Sequence, residues 1–372
     1  MDTRKNEIMD PTRLRAVAPP AEGMVAPGEQ LPPGMIVVPA MQVPPFRVQR
    51  THDNGRLNHI LFIARGGVGD QVCAEPTLRY AIEHFGDKNR FYLAAYDGLA
   101  ELFTHLKFDR VFDLREEAPI WENYLVMETI VDQTRQDHNA HMSDEFFSHC
   151  LTHCVDFASM SALRAHLPVK DREIKLAPRL PRQYLQDIAA RTDTVLIHPG
   201  RHWQSKTFPP EFWAAVVKRI GEQGMTAVLI GADRKDTGTV AFEYDEKHVI
   251  DLRNATTLAE SIWLVKNARV LLTNDSAPLH MAASGDAYVG FIATIKHYDY
   301  ITHWRHGEFG WRMKNFSKGG VWEIIDHNPG EENPLIKGVE WVEPATLASW
   351  LPDPIEYAEW AVAMSREWQP HA

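Results

Sequence analysis

The chain has 372 residues, of which 44% are hydrophobic and 24% charged, and this length predicts two domains of ordinary size. A formal net charge of -11 disfavours a dedicated nucleic-acid binder, whose contact face must neutralise phosphates. No apolar run is long enough to span a bilayer, residues 1–15 lack the apolar core of a signal peptide, and three cysteines disfavour a disulfide framework. These features predict a soluble, cytoplasmic protein.

The first 56 residues are rich in proline. Nine of the chain's 24 prolines lie within residues 1–50, and proline both restricts φ and removes a backbone donor. We therefore expect residues 1–56 to be an extended N-terminal arm that lies over a folded surface or joins copies of the chain in a homo-oligomer.

Strands and helices alternate from residue 57 onwards. The apolar run at residues 59–64 predicts a buried strand. The predicted elements after it are a helix at 74–85, a strand at 90–95, a helix at 99–106, a strand at 110–114 and largely helical structure over 120–170. This alternation is typical of a parallel sheet built from βαβ units, so residues 57–180 are predicted to form a Rossmann-like domain.

A second alternation follows a proline-containing linker at about residues 178–192. Its predicted strands are 194–198, 225–230 and 268–273, and its predicted helices are 210–223 and 258–266. Residues 190–345 are therefore predicted to form a second Rossmann-like domain, and residues 346–372 a C-terminal helical segment. Two such domains indicate an α/β protein with a ligand site in the cleft between them.

A glycine-rich loop follows the first predicted strand; it contains Gly66, Gly67 and Gly69 and ends at Asp70. Glycine lets a backbone approach a ligand closely, and the start of the next helix favours anions. The loop lacks the G-x-G-x-x-G spacing of dinucleotide sites. Asp70 is open to two interpretations, a helix cap or a catalytic carboxylate at the ligand-binding end of a parallel strand.

Two further motifs follow strands of the second domain. In one, His198-Pro199-Gly200 leads to Trp203 and Lys206; in the other, Asn274-Asp275-Ser276-Ala277 leads to His280. A lysine at such a strand end is either a contact for a diphosphate or a solvated loop residue. The serine and the backbone N–H groups at a helix start either bind a diphosphate or cap the helix.

In this order, the three motifs resemble glycosyltransferase family 9, the family of the ADP-heptose:lipopolysaccharide heptosyltransferases. The matching elements are Gly69-Asp70 after the first strand, His198-Pro199-Gly200 with Trp203, Lys206, Phe208 and Pro209, and Asn274 to Ala283. Asp251-Leu252 with Thr256-Thr257-Leu258 is similar to a further family element. The resemblance covers about residues 58–295 and rests on the ordered set of motifs.

This resemblance implies a GT-B fold, with an acceptor in the N-terminal domain and a nucleotide sugar in the C-terminal domain. It implies that Asp70 is the general base and that the donor is bound by Lys206, Asp275, Ser276, Ala277, His280, His198 and Gly200. In such an inverting transfer a carboxylate deprotonates the acceptor hydroxyl, while protein positive charge stabilises the departing diphosphate. We therefore expect a nucleotide-sugar co-substrate, no cofactor and no metal ion.

Two departures from the family pattern keep other functions open. Ala277 replaces the usual glycine, which together with the proline-rich arm suggests a non-catalytic nucleotide-sugar binding protein. Residues 296–314 mix basic and aromatic side chains, which suggests an acceptor that is a modified base in DNA, as in viral glycosyltransferases. The histidines and cysteines of residues 148–154 are more typical of a helix core than of a zinc site.

Overall fold

The computed structural model divides the chain into two compact units, Met1–Lys175 and Leu176–Ala372. Its described residues are 59–64, 67–96, 98–120, 123–128, 173–233, 237–295, 301, 312–320 and 342–370. The proline-rich arm, residues 1–56, and the histidine–cysteine run at 148–154 therefore lie outside the described residues. Within the described part of the chain, no helix is both long enough and apolar enough to span a membrane.

The described part of unit 1 is a parallel sheet with one long helix. Its elements are β1 (His59–Ala64), α1 (Val68–Phe85), β2 (Arg90–Ala95), a 3-10 helix (Leu99–Phe103), β3 (Arg110–Asp113) and β4 (Leu125–Glu128). The strand order is β3-β2-β1-β4, and β1 pairs in parallel with both β2 and β4. Ile60, Leu61 and Phe62 of β1 are almost completely buried, so β1 lies at the centre of the core of unit 1.

The structure of unit 1 differs from the sequence prediction at two places. Helix α1 begins at Val68 rather than at residue 74, so the last residues of the predicted glycine loop already belong to its first turn. Residues 125–128 form a strand, although residues 120–170 look largely helical in sequence. Pairing of β4 with the central strand outweighs local helix propensity here, because strand formation depends on tertiary neighbours.

Unit 2 is a larger α/β unit around a six-stranded parallel sheet. Its helices are α2 (Gln183–Ala190), α3 (Pro210–Glu222), α4 (Leu258–Asn267), α5 (Ala277–Ala282), α6 (Pro344–Trp350) and α7 (Pro354–Glu367). Its strands are β5 (Thr194–His198), β6 (Gly200–Arg201), β7 (Thr226–Leu229), β8 (Gly238–Thr239), β9 (Val249–Asp251), β10 (Val270–Asn274), β11 (Tyr288–Ile292) and β12 (Met313–Asn315). The sheet has the order β12-β11-β10-β5-β7-β9, and β6 and β8 form a separate antiparallel pair.

The core of unit 2 lies between this sheet and the helices α3 and α7. Trp213 and Ile220 of α3 and Tyr357 and Ala361 of α7 are completely buried against the strands. Apolar residues at helical spacing give α3 one buried face, and Pro210 suits its first turn because that position needs no N–H bond. The C-terminal helical segment is therefore part of the core of unit 2.

The segment predicted as a linker, residues 178–192, contains a helix. Leu185 and Ile188 on one side of α2 are buried. Before this helix, the Arg182 guanidinium donates to the Glu260 carboxylate at 2.7 Å and to the Ala255 carbonyl at 2.7 Å. These contacts attach the start of unit 2 to α4. Pro178 and Pro181, on which the linker prediction was based, gave no indication of this attachment.

Candidate functional site

Asp70 lies in the first turn of α1, directly after the predicted glycine loop. Its Oδ2 accepts a hydrogen bond from the Gly67 N–H at 3.2 Å, which satisfies one of the free donors at the helix start. A Cβ at position 67 would lie 3.0 Å from the same oxygen, so glycine leaves room for this contact. The structure therefore shows Asp70 as a half-buried helix cap, and its catalytic role remains a prediction.

The three glycines of the predicted loop differ in where the structure places them. Gly69 lies inside the first turn of α1 rather than in a loop, and Gly67 is the residue just before the helix, with an extended backbone. Gly66 lies outside the described residues. The glycine loop is therefore shorter than the sequence predicted, since α1 starts two residues before Asp70.

Further along α1, a buried ionic cluster attaches this helix to the last residues of unit 1. The Glu75 carboxylate is fully buried and accepts hydrogen bonds from Arg79 Nε at 2.8 Å and from the Lys175 N–H at 2.9 Å. His105 Nε2 lies 3.2 Å from the same carboxylate, and the Arg79 guanidinium also donates to the Glu173 carbonyl at 2.6 Å. This cluster fixes the helix that carries Asp70 to residues 173–175.

Electrostatics explain why Glu75 stays ionised in this buried position. Burial alone would raise the pKa of Glu75, but hydrogen bonds from His105 and Arg79, together with the positive charge of Arg79, outweigh that effect. The pKa of Glu75 is therefore lower than usual. The Glu75–Arg79 spacing of four residues is a local helical signal, but the sequence did not indicate His105 or Lys175, which lie 30 and 100 positions from Glu75.

In unit 2, the two predicted donor motifs meet at the carboxyl ends of neighbouring strands. Strands β5 and β10 pair in parallel, and His198 at the end of β5 is opposite Thr273 of β10. The carboxyl ends of parallel strands lie at the same edge of a sheet. The structure thus places His198, Gly200, Lys206, Asp275 and Ser276 together, as their position after predicted strands indicated.

The strongest contact between the two motifs is an ion pair. Lys206 Nζ donates to Asp275 Oδ2 at 2.6 Å and lies 3.3 Å from the Asp275 carbonyl oxygen. The side chains of Lys206 and Asp275 are only 14% and 4% exposed. The Lys206 ammonium lies 5.2 Å from the centroid of the Trp203 ring, within cation–π range. Lys206 is therefore a largely buried, ion-paired lysine at the carboxyl ends of β5 and β10, and not a solvated loop lysine.

His280 lies on the other side of the same carboxylate. Its Nε2 is 4.0 Å from Asp275 Oδ1, and both side chains are almost completely buried. Helix α5, which carries His280, has six residues and begins at Ala277. His280 is therefore a packed helix residue beside Asp275, and its predicted contact with the donor remains untested.

His198 supports the serine of the third motif. Its Nδ1 lies 3.0 Å from Ser276 Oγ and 3.4 Å from Thr273 Oγ1, and the two hydroxyls are 3.1 Å apart. Burial lowers the pKa of His198 to about 4, so the imidazole is neutral at pH 7. A neutral ring adds no positive charge for a diphosphate. Because the Ser276 side chain does not cap α5, its contact with His198 indicates that His198 positions the Ser276 hydroxyl.

Asn274 is a residue whose separate role the sequence did not reveal. Its Nδ2 donates to the carbonyl oxygens of Gly200 at 3.0 Å and of Lys206 at 2.8 Å. A Cβ at position 200 would lie 2.5 Å from Asn274 Oδ1, so this contact requires glycine. Asn274 thereby joins the two motifs through their backbones. The only sequence signal was its place beside Asp275 and Ser276.

A cavity of about 590 Å³ opens in unit 2 near these loops. Its polar lining includes Arg201, Gln204, Asp233 and Thr239, and its apolar lining includes Phe208 and Leu347. The Asp233 carboxylate already accepts from the Thr239 N–H at 2.8 Å and from Asn254 Nδ2 at 2.9 Å. None of the predicted donor residues lines this cavity, although Gln204 and Thr207, close to Lys206 in sequence, do.

The remaining sequence predictions concern metals and the acceptor. In the residues described, no three histidine, cysteine, aspartate or glutamate side chains are grouped so that they could hold a metal ion. The basic and aromatic segment at 296–311 lies outside the described residues, apart from Ile301. A DNA acceptor therefore has no support in the structure.

Comparisons with known proteins agree with the motifs. A model of glycosyltransferase family 9 (heptosyltransferase) matches residues 134–289, a range that contains both donor motifs but not Asp70. A search of curated protein sequences gave no match.

Among solved structures, E. coli ADP-heptose lipopolysaccharide heptosyltransferase II is 12% identical with a TM-score of 0.50, over 83% of this chain and 99% of that one. The dodecameric iron-containing heptosyltransferase TibC of enterotoxigenic E. coli, in complex with ADP-D-β-D-heptose, is also 12% identical, with a TM-score of 0.53 over 83% of this chain and 76% of that one. A family 9 glycosyltransferase from Veillonella parvula is 13% identical with a TM-score of 0.49, over 82% of this chain and 97% of that one. At these identities the first two show the fold, which is GT-B.

Proposed function

Because a model of glycosyltransferase family 9 matches residues 134–289 and the fold is GT-B, we propose that this chain transfers a sugar from a nucleoside diphosphate to an acceptor hydroxyl with inversion. The observation that carries the proposal is the meeting of Lys206, Asp275 and Ser276 at the carboxyl ends of β5 and β10. Heptose is the first donor sugar to test, since the matched family is described as heptosyltransferases and TibC binds ADP-D-β-D-heptose.

Lys206 is suited to bind the diphosphate of the donor. An ammonium group has three N–H donors, and the Asp275 carboxylate holds Lys206 in place with one short hydrogen bond. A diphosphate can accept from a remaining donor while Asp275 keeps the side chain oriented. As the bond to the anomeric carbon breaks, negative charge grows on the diphosphate, and a fixed cation stabilises that charge.

Asp70 is the proposed base. One of its oxygens accepts a single hydrogen bond from Gly67, so the carboxylate keeps capacity to accept a proton from an acceptor hydroxyl. Deprotonation of that hydroxyl during attack on the anomeric carbon is general-base catalysis. The support for this role is the match of Gly69-Asp70 to the family motif at the start of α1.

We propose further that the transfer needs no metal ion. Lys206 lies at the carboxyl ends of β5 and β10 as a fixed cation, and a fixed cation can stabilise the departing diphosphate as a metal ion would. Transfer from the matching donor should therefore continue in EDTA. Strict dependence of the rate on added Mg²⁺, Mn²⁺ or iron would refute this part of the proposal.

Donor binding to Lys206 tests the proposal directly. The melting temperature of the protein is measured with ADP, UDP and GDP and with ADP-heptose, UDP-glucose and GDP-mannose, because a ligand of the native state raises it by mass action. We expect one nucleotide class to raise it, and Lys206→Ala to weaken that binding about 10- to 100-fold through loss of a charged hydrogen bond.

The matched control is Lys218→Ala, which removes a lysine of α3 that is 79% exposed. This variant should bind the donor with the affinity of the wild type. The donor assignment fails if no nucleotide shifts the wild-type melting temperature, or if Lys206→Ala and Lys218→Ala bind equally well.

A further inference from the structure

We propose that Tyr357, on the C-terminal helix α7, is a positioning residue that holds the strand end carrying Asn274, Asp275 and Ser276. This inference rests on the proposed function, because it concerns the same donor site. Tyr357 is 84 residues away from Thr273 in sequence, and its hydroxyl contacts the Thr273 backbone. It acts through the backbone of β10.

The hydroxyl of Tyr357 lies between two neighbouring strands and bonds to both. It accepts from the Thr273 N–H at 3.1 Å and donates to the Gly290 carbonyl of β11 at 2.7 Å, with the Thr273 carbonyl at 3.2 Å as a second acceptor. The Tyr357 hydroxyl thus hydrogen-bonds to backbone groups of Thr273 and Gly290 near the carboxyl ends of β10 and β11, just before the donor motif. Thr273 also pairs with Phe291 in the parallel register of β10 and β11, so the hydroxyl adds a side-chain contact to this pair of strands.

Packing fixes the position of this hydroxyl. Tyr357 is completely buried, and its ring lies 4.9 Å from the Phe316 ring and 6.1 Å from the Phe212 ring, measured between centroids. A Cβ at position 290 would lie 2.7 Å from the Trp360 ring and 3.0 Å from the Tyr357 ring. Glycine at 290 is therefore what allows α7 to lie this close to the sheet.

The same burial keeps the hydroxyl protonated. It raises the pKa of Tyr357 well above its usual value, so the hydroxyl is protonated at neutral pH and can donate to the Gly290 carbonyl.

The consequences reach the donor motif through Thr273 and its neighbours. The Thr273 hydroxyl lies 3.1 Å from Ser276 Oγ, and Asn274, the next residue, joins the backbones of Gly200 and Lys206. A shift of the Thr273 backbone would therefore move the serine, the asparagine and, through Asp275, the partner of Lys206. Helix α7 thus completes the donor site without contacting the donor.

The test compares Tyr357→Phe with Val362→Ala. Val362 is a buried residue of the same helix, and its apolar side chain cannot hydrogen-bond to the end of β10. Both variants lose core stability. The affinity for ADP, UDP and GDP is measured by calorimetry below the melting temperature of either variant, and the donor KM and kcat are measured with the matching nucleotide sugar. We expect about tenfold weaker binding and a raised donor KM for Tyr357→Phe, and wild-type values for Val362→Ala.

Amide hydrogen exchange without nucleotide provides a second measurement. Protection of residues 273–276 should fall at least tenfold in Tyr357→Phe relative to Val362→Ala. Equal donor affinity and equal protection in the two variants would overturn the positioning role. If the wild type binds no nucleotide, the proposed function fails, while the exchange measurement still decides whether Tyr357 holds this strand end.

Discussion

The candidate residues of unit 1 and those of unit 2 differ in how their side chains are held. In unit 1, Asp70 accepts one hydrogen bond from its own helical turn and is half-buried. In unit 2, Lys206 and Asp275 form a nearly buried ion pair, and the strand end beside them is fixed by Tyr357. The proposed donor residues are thus held by several contacts within unit 2, whereas the proposed base has one hydrogen bond within its own helix.

Substitution of the proposed base should have the largest effect. Asp70→Asn keeps an oxygen that can accept from Gly67 and so preserves the start of α1, but it removes the proton acceptor. We expect kcat to fall about 10²- to 10⁴-fold while the affinity for the donor nucleotide is unchanged. Single-turnover assays and calorimetry measure the two quantities separately.

Two outcomes of the Asp70→Asn experiment would be informative in different ways. Near-normal turnover would assign the base to another residue. A loss of donor binding would contradict the assignment of donor binding to the motifs of unit 2, because Asp70 belongs to unit 1.

The next largest effect concerns the stability of unit 1. Glu75→Ala leaves the Arg79 guanidinium buried without its carboxylate partner, and such a loss costs about 3–5 kcal/mol. Urea denaturation of the variant should show this decrease in the free energy of unfolding of unit 1. Glu75→Gln is the control, because it retains hydrogen-bonding atoms and should cost less than Glu75→Ala. A decrease below about 1 kcal/mol for Glu75→Ala would show that the cluster does not fix α1.

The smallest expected effect is a pH dependence in unit 2. Burial lowers the pKa of His198 to about 4, below the unfolded value of about 6.5, so the unfolded chain binds this proton first as the pH falls. The contribution of His198 to stability is therefore complete above pH 6.5 and is lost towards pH 4. Because the ring keeps some exposure to solvent, we expect a loss of about 1–3 kcal/mol.

A comparison of wild type with His198→Asn isolates this contribution. The difference in the free energy of unfolding between the two proteins should change between pH 6.5 and pH 4 and be constant above pH 7. A difference that stays constant over the whole range would mean that His198 titrates normally and is not held neutral beside Ser276.

Much of the fold was predictable because local sequence signals agree with it. The strand at residues 90–95 and the helix from residue 210 were predicted within one residue of their observed limits, since apolar periodicity and a proline at the helix start mark them. The strand at residues 125–128 was not predicted, because its pairing with β1 joins residues 65 positions apart, such as Ile60 and Leu125, and leaves no local pattern.

The candidate residues likewise include features that the sequence predicted and features that only the structure showed. The sequence by itself determined which residue types follow the strands β5 and β10, and parallel pairing then brings His198, Lys206, Asp275 and Ser276 to one edge of the sheet. It also placed Asp70 at the start of a helix. Only the tertiary structure decided that Lys206 is paired with Asp275, that Asn274 joins the two motifs and that Tyr357 supports them. These contacts depend on distances between atoms far apart in the chain, which close packing sets and no local pattern records.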